Sequence, residues 1–205
     1  MDQFILSLDR AARTLSGAAN AARKNPADGA KLTNLTEAEK RESIQLMRVN
    51  HAGEVAAQAL YQGQALVSRS AALRAKLGHA ADEELDHLAW TRERVHALGG
   101  RTSLLDPLWY GGAFVMGAVA GALGDKASLG FLQATEEQVE AHLATHLDRL
   151  PAADAPSRAI VAQMKTDEAR HALEATASGA IELPAPVKAL MGAAAKVMTT
   201  IAHRI

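Results

Sequence analysis

A lone glutamate followed about thirty residues later by Glu-x-x-His occurs twice in this chain, and this doubled pattern constrains the fold more than any other feature. The first copy is Glu54 with Glu84-Leu85-Asp86-His87, and the second is Glu136 with Glu168-Ala169-Arg170-His171. Equivalent residues lie 82 (54 to 136) or 84 (84 to 168, 87 to 171) positions apart. Residues three and four apart share one face of an α-helix, so each Glu-x-x-His can address one ion from one helix. Four helices that donate four carboxylates and two imidazoles inward make up the ligand set with which helical bundles hold two metal ions. An oxygen-rich set with some imidazole favours iron or manganese over sulfur-rich zinc and copper sites. In that arrangement Glu84 and Glu168 are expected to bridge, with Glu54 and Glu136 terminal.

The tetrapeptide alone carries little weight. With 13 Glu and 8 His in 205 residues, random placement gives roughly 0.5 such pairs, the kind of template count a periodicity argument needs. There are three. The third, Glu93-Arg94-Val95-His96, begins nine residues after Glu84. At about 100° per residue that is half a turn away on the same helix, so Glu93 and His96 are expected to face solvent. The repeat and the helical face distinguish the other two.

Composition agrees with an all-α fold. The chain is 48% hydrophobic but only 3% aromatic, and Ala and Leu outnumber the β-branched and aromatic residues that favour strands. A net charge of −1 implies no general attraction to nucleic acid. With no cysteine, disulfides, iron–sulfur clusters and thiolate zinc sites are excluded, and any electrons must come from outside the chain. The start, Met1-Asp2-Gln3-Phe4, lacks a basic n-region and a cleavage site, which argues against secretion.

Along the chain, residues 4–22 have apolar residues at helical spacing (Phe4, Leu8, Ala11, Ala12, Leu15), and residues 24–29 read as a break. Thr36 and Glu39 form a capping box that opens a helix of about 37–68 carrying Glu54. A helix of about 71–98 carries Glu84 and His87 and stops at Gly99-Gly100. Residues 107–124 contain no charge. Such a run suits a buried core helix, an interfacial segment or, at the length threshold, a span. Trp109 and Tyr110 favour an interface, and a span would put the two halves of the ligand set on opposite sides of a membrane. Asp125 and Lys126 end that run, a helix continues to about 150 and carries Glu136, and another of about 157–178 carries Glu168 and His171. Residues 187–205 form an amphipathic end. The expected organisation is an N-terminal helical extension and linker, 1–35, before a di-metal bundle, 36–205, with a membrane-docking segment near 107–124 and a C-terminal amphipathic helix near 187–203.

Further candidates follow from spacing. A metal-bound His usually gives its other ring N–H to a carboxylate or carbonyl, and Glu83 and Asp167 lie four residues before His87 and His171. Tyr61 and His142 fall on the faces of Glu54 and Glu136 and are candidates to line the pocket; His51 is a weaker one.

Arg48-Val49-Asn50-His51-Ala52-Gly53-Glu54, Glu84-Leu85-Asp86-His87, Glu136-Glu137-Gln138 and Asp167-Glu168-Ala169-Arg170-His171, with Leu105-Asp106-Pro107-Leu108-Trp109, resemble the demethoxyubiquinone hydroxylase family. The resemblance runs from about Thr36 to the C-terminus and is closest to bacterial members. It implies a ferritin-like four-helix bundle with two Fe ions per chain on Glu54, Glu84, His87, Glu136, Glu168 and His171, and a functional His at His142. Members often have Tyr next, where this chain has Leu143. The implied reaction is hydroxylation of the demethoxyubiquinol ring with dioxygen and external reductant. A membrane-resident prenylated quinol, peripheral association with the cytoplasmic face of the cell membrane, and a homo-oligomer or a ubiquinone-biosynthesis partner protein belong to the same implication. The ligand set by itself also serves a ferritin-like ferroxidase or peroxide-scavenging iron protein. Against that reading, an apolar run of this length is poorly tolerated on a soluble cage. A helical partner protein without metal is the non-enzymatic reading.

Overall fold

The computed structural model describes the backbone of residues 2–18, 20–31 and 34–205, and side chains over the same ranges from Ser7 onward. Phe4, expected on the apolar face of the first helix, has its side chain outside the described residues. Among the described residues there are seven helices and no strand: α1 (Asp2–Ser16), α2 (Glu37–Val67), α3 (Ala71–Ala97), α4 (Asp106–Ala122), α5 (Asp125–Arg149), α6 (Ala155–Ala177) and α7 (Ala185–Ala202).

The expected boundaries reappear with their local causes. Thr36 caps α2, its side chain accepting from the Glu39 N–H while the Glu39 carboxylate accepts from the Thr36 N–H. Gly99 ends α3 at φ +76°, and Gly100 N–H returns to Val95 O at 2.9 Å, a left-handed closure that glycine adopts without strain. The first helix stops at Ser16 rather than near residue 22, because Gly17 turns the chain at φ +72°. The helix carrying Glu168 starts two residues earlier than its spacing suggests, since Asp154 caps it by accepting from Ser157 N–H and Pro156 is tolerated in a first turn.

Direction follows from the order of apolar contacts. One buried cluster holds Leu46, Met47, Trp90, Leu143, Ile160 and Met164, and another holds Tyr61, Leu73, Leu77, Leu129, Leu132 and Ala175. Going up the chain, α2 and α6 pass from the first cluster to the second, whereas α3 and α5 pass from the second to the first. So α2 and α3 are antiparallel, as are α5 and α6, while α3 and α5 run the same way. Connecting two helices of like direction requires a return path. α4 supplies it, at 17 residues or roughly 25 Å. In each of the four bundle helices the predicted ligands fall between the two clusters. The centre therefore sits mid-bundle with an apolar plug at each end.

α4 narrows the readings of the uncharged run. It lies along α2 with the backbones in near contact: a Cβ on Gly117 would come within 2.2 Å of Leu60 O, and one on Gly63 within 2.2 Å of Phe114 O. The face toward α2 is built of small residues, Ala113, Gly117, Ala120 and Gly121, with Tyr110. The outward face carries Leu108, Val115, Met116, Val119 and Leu123, each 42–74% exposed. Only half of the segment is therefore core. No helix among the described residues is long and apolar enough to cross a membrane, so the spanning alternative drops out.

Candidate metal centre

All six predicted ligands are buried, none more than 4% exposed, and their side chains converge. They form two groups whose ligand atoms lie within 4.8 Å of one another: Glu54, Glu84, His87 and Glu168, and Glu84, Glu136, Glu168 and His171. Glu84 and Glu168 belong to both, while Glu54 and Glu136 each belong to one. Within the first group Nδ1 of His87 is 2.8 Å from Glu84, 3.2 Å from Glu168 and 3.7 Å from Glu54. Within the second Nδ1 of His171 is 3.2 Å from Glu84 and 3.3 Å from Glu168. Both imidazoles thus present Nδ1 to the centre. The control pair behaves as its phase predicts: Glu93 and His96 are exposed, and Glu93 accepts from Asn25 at 2.9 Å.

Nε2 of each histidine meets a carboxylate, but not the expected one. Spacing pairs Glu83 and Asp167 with the histidine on their own helix. Instead Asp167 of α6 lies 2.9 Å from Nε2 of His87 on α3, and Glu83 of α3 lies 2.9 Å from Nε2 of His171 on α6. The side chain four residues before a ligand points along the same face, and on a helix packed against its partner that face reaches the neighbour's histidine first. An acceptor at Nε2 keeps the proton there and leaves Nδ1 free for a metal.

Tyr61 donates to Glu136 Oε1, bringing α2 onto the second half of the centre. The residue equivalent to Tyr61, 82 positions on, is Leu143. No hydroxyl therefore stands at the matching place for Glu54, and its buried Oε2 has no hydrogen-bond partner among the described residues. His142 belongs to neither ligand group; its ring lies against His146 at 4.0 Å, and His146 Nδ1 is 2.7 Å from Asn50 Oδ1. His51 pairs with Asp106 at 3.4 Å, outside both groups. Arg23 had no sequence signal. It approaches Asp86, Asp167 and His87 from the segment before α2, and only tertiary contact reveals it.

Electrostatics follow from crowding. Burial, then the neighbouring Glu84, raises Glu54 well above the usual carboxylate range, and burial, then Glu168, does the same to Glu136. Burial also works against charge on Glu84, but His87 and His171 outweigh it and hold it well below. Burial lowers the histidines, yet Glu84, Asp167 and Glu168 lift His87 well above its usual value, and Glu168 and Glu84 take His171 to about 12. Despite burial, His87 and Arg23 bring Asp167 to about 2. Four carboxylates buried together must be protonated, paired or metal-bound. The unpartnered Glu54 oxygen and the two groups sharing two glutamates fit a pair of divalent cations, whose charge would balance the four carboxylates. The donor set is that of iron or manganese.

The family model described as "Ubiquinone biosynthesis protein COQ7" matches residues 41–202. The chain is 58% identical over 204 residues to the 3-demethoxyubiquinol 3-hydroxylase of Verminephrobacter eiseniae, covering 100% of this chain and 98% of that protein. It is 55% identical over 216 residues to that of Ralstonia pickettii, with all of both chains covered. Among solved structures, the thioferritin of Bacteroides fragilis superposes with a TM-score of 0.57 at 17% identity, covering 67% of this chain and 83% of that one, a likeness of fold alone. With a family model matched across the bundle and relatives similar from end to end, the chain belongs to the COQ7 family of ubiquinone biosynthesis proteins.

Proposed function

We propose that the chain is a di-iron monooxygenase that hydroxylates the ring of demethoxyubiquinol. The observation that carries this is the pair of buried ligand groups sharing Glu84 and Glu168, in a chain similar over its whole length to relatives named 3-demethoxyubiquinol 3-hydroxylase. Glu54 and His87 would serve one ion, Glu136 and His171 the other, and Glu84 and Glu168 both. When bound, the ions supply the redox chemistry that lets dioxygen and two external electrons put one oxygen atom on the ring and release the other as water.

The protein's own part is placement and exclusion. Asp167 and Glu83 fix each imidazole with Nδ1 inward. Tyr61 holds Glu136 from across the bundle. The two apolar clusters above and below keep the centre dry, which strengthens each interaction made there. The outward face of α4 offers an apolar stripe without charge. Laid on a bilayer surface it would hold the protein as a peripheral guest, where a prenylated quinol resides, and an interfacial anchor needs no spanning helix.

The test is direct. The chain, loaded anaerobically with ferrous iron and given reductant, a demethoxyquinol and labelled dioxygen, is expected to yield a hydroxylated quinol with one labelled oxygen atom. Rapid consumption of ferrous iron with no hydroxylated quinol would assign it to iron oxidation instead.

A further inference from the structure

Around the two histidines the halves of the centre follow one plan and depart from it in the residue just before each histidine. Glu83 and Asp167 are equivalent in the repeat, 84 residues apart, and each supports the histidine of the other half. In the second half, Arg170, the residue just before His171, completes the arrangement. Its Nη2 is 2.8 Å from Glu83 Oε1 and 3.4 Å from His171 Nε2. The residue equivalent to Arg170 in the first half is Asp86, an acid, which can give Asp167 no positive partner. Arg170 itself comes no nearer to Asp167 than 3.9 Å.

A guanidinium nevertheless occupies the matching place. Arg23, from the segment between α1 and α2, sets Nη1 2.9 Å from Asp167 Oδ2 and Nη2 3.3 Å from His87 Nε2, nearly the distances Arg170 makes to Glu83 and His171. Asp86 is what holds it there. Its carboxylate accepts from Arg23 Nε at 2.5 Å, and from the backbone N–H groups of Ala22 and Arg23 at 2.6 and 3.3 Å. The Trp90 ring, one turn beyond His87, lies 4.9 Å from the guanidinium carbon, a stacking geometry open to Arg and poorly matched by Lys. Gln163 takes the other oxygen of Asp167 at 3.1 Å, so the carboxylate is fixed from both ends. An acid at position 86 thus does through a recruited arginine what Arg170 does directly.

We infer that Arg23 is a positioning residue for the His87 half of the centre, the counterpart of Arg170 supplied from outside the bundle, so that the segment before α2 forms part of one metal site and not of the other. The inference rests on the two-ion reading above. Partners that orient a ligating histidine are worth about 10–100-fold in metal affinity. The Arg23 side chain is 36% exposed against 7% for Asp167, so it can be replaced without opening the core.

The test is anaerobic titration of the full chain with Co2+, followed by its visible absorption. Wild type is expected to take two ions; if it takes none, the two-ion reading fails and not merely the role of Arg23. Glu136→Gln and Glu54→Gln then leave one ion each, on the His87 and the His171 side respectively. Adding Arg23→Gln to Glu136→Gln is expected to weaken the remaining ion about 10–100-fold, while adding it to Glu54→Gln leaves affinity within about twofold. Arg170→Gln is expected to give the mirror result. Equal weakening in both backgrounds would make Arg23 a general stabiliser, and no weakening in either would remove it from the site. Both outcomes overturn the proposal, and far-UV circular dichroism of each variant separates them from loss of fold.

Discussion

Replacing Gly117 by Ala tests the packing that gives α4 its two faces. Alanine is favoured over glycine inside a helix by about 1 kcal/mol, so at a permissive position the change stabilises. Gly111 and Gly112 are such positions: a Cβ there meets nothing within 4 Å. At Gly117 the added carbon would stand 2.2 Å from Leu60 O and 2.9 Å from Leu60 C and Cα. Ordinary contact begins near 3.4 Å, so the two backbones must part by roughly 1 Å, and overpacking of this kind costs about 1–3 kcal/mol. After the helix gain, Gly117→Ala is expected to destabilise by up to about 2 kcal/mol and Gly111→Ala to stabilise by about 0.5–1. For a chain of this size about 1 kcal/mol moves the melting temperature by about 2–4 °C, so Gly117→Ala should melt below Gly111→Ala, which should melt above wild type. Gly63→Ala presses on the same interface from α2, at 2.2 Å from Phe114 O. Because either change already separates the helices, the double variant should cost less than the sum of its parts. Thermal unfolding followed by circular dichroism reads all four proteins. If Gly117→Ala melts with or above Gly111→Ala, α4 does not lie against α2 in this way.

Three further outcomes are expected. Glu84→Gln or Glu168→Gln should lose both ions in metal analysis, whereas Glu54→Gln or Glu136→Gln should keep one, because only the first two residues belong to both groups; one retained ion in Glu168→Gln would contradict the sharing. Ion binding should strengthen as pH rises. His171 at about 12, His87, Glu54 and Glu136 are all raised, so the metal-free form holds protons that ligation must release, and lower pH favours that form. A weakly buffered titration should show net proton release, and proton uptake would refute this sign. Leu108→Ser, Val115→Ser and Val119→Ser together should reduce partitioning onto vesicles about a hundredfold, at roughly 1 kcal/mol for each lost apolar contact, with turnover of a short-tailed quinol in detergent unchanged; unaltered flotation with vesicles would remove α4 from the docking face.

The convergence of the six predicted ligand residues was legible because helical phase is local and the repeat can be read by comparing the sequence with itself. The Glu93/His96 pair shows what phase contributes, since the same tetrapeptide half a turn away is exposed. The capping box at Thr36 and the stop at Gly99 were legible for the same reason, each depending on residues within one turn. The exchange of Glu83 and Asp167 was not. Spacing places a side chain on a face but does not say which neighbouring helix that face meets, so it pairs each acid with the wrong histidine. Arg23 lies 63 residues from Asp86 and 144 from Asp167, and no local pattern joins them. The uncharged run was ambiguous because glycine serves lipid-facing helices and close-packed ones alike. The distinction lay in its partner, whose carbonyl at Leu60 leaves no room for a side chain at position 117.

A doubled bundle would build two equal half-sites if the repeat were perfect, so the differences between the halves are where function enters. Tyr61 restrains Glu136 through its hydroxyl, while its equivalent Leu143 is part of the apolar cluster with Leu46 and Trp90 and offers nothing to Glu54. Asp167 is bound by Arg23 and Gln163, while Glu83 is bound by Arg170 from the helix that carries the other histidine. The His87 half therefore has its imidazole support secured from outside the bundle, and Glu54 is left with an oxygen that accepts no hydrogen bond. The His171 half has the reverse, a Glu136 carboxylate restrained by Tyr61 and support from within. In the two-ion reading, one ion would sit beside a carboxylate that Tyr61 restrains and the other beside a carboxylate oxygen that His87 Nδ1 approaches only to 3.7 Å. Exchange of a ligand bond for an incoming molecule would cost least at the second, because Glu54 Oε2 gives up no hydrogen bond when it turns.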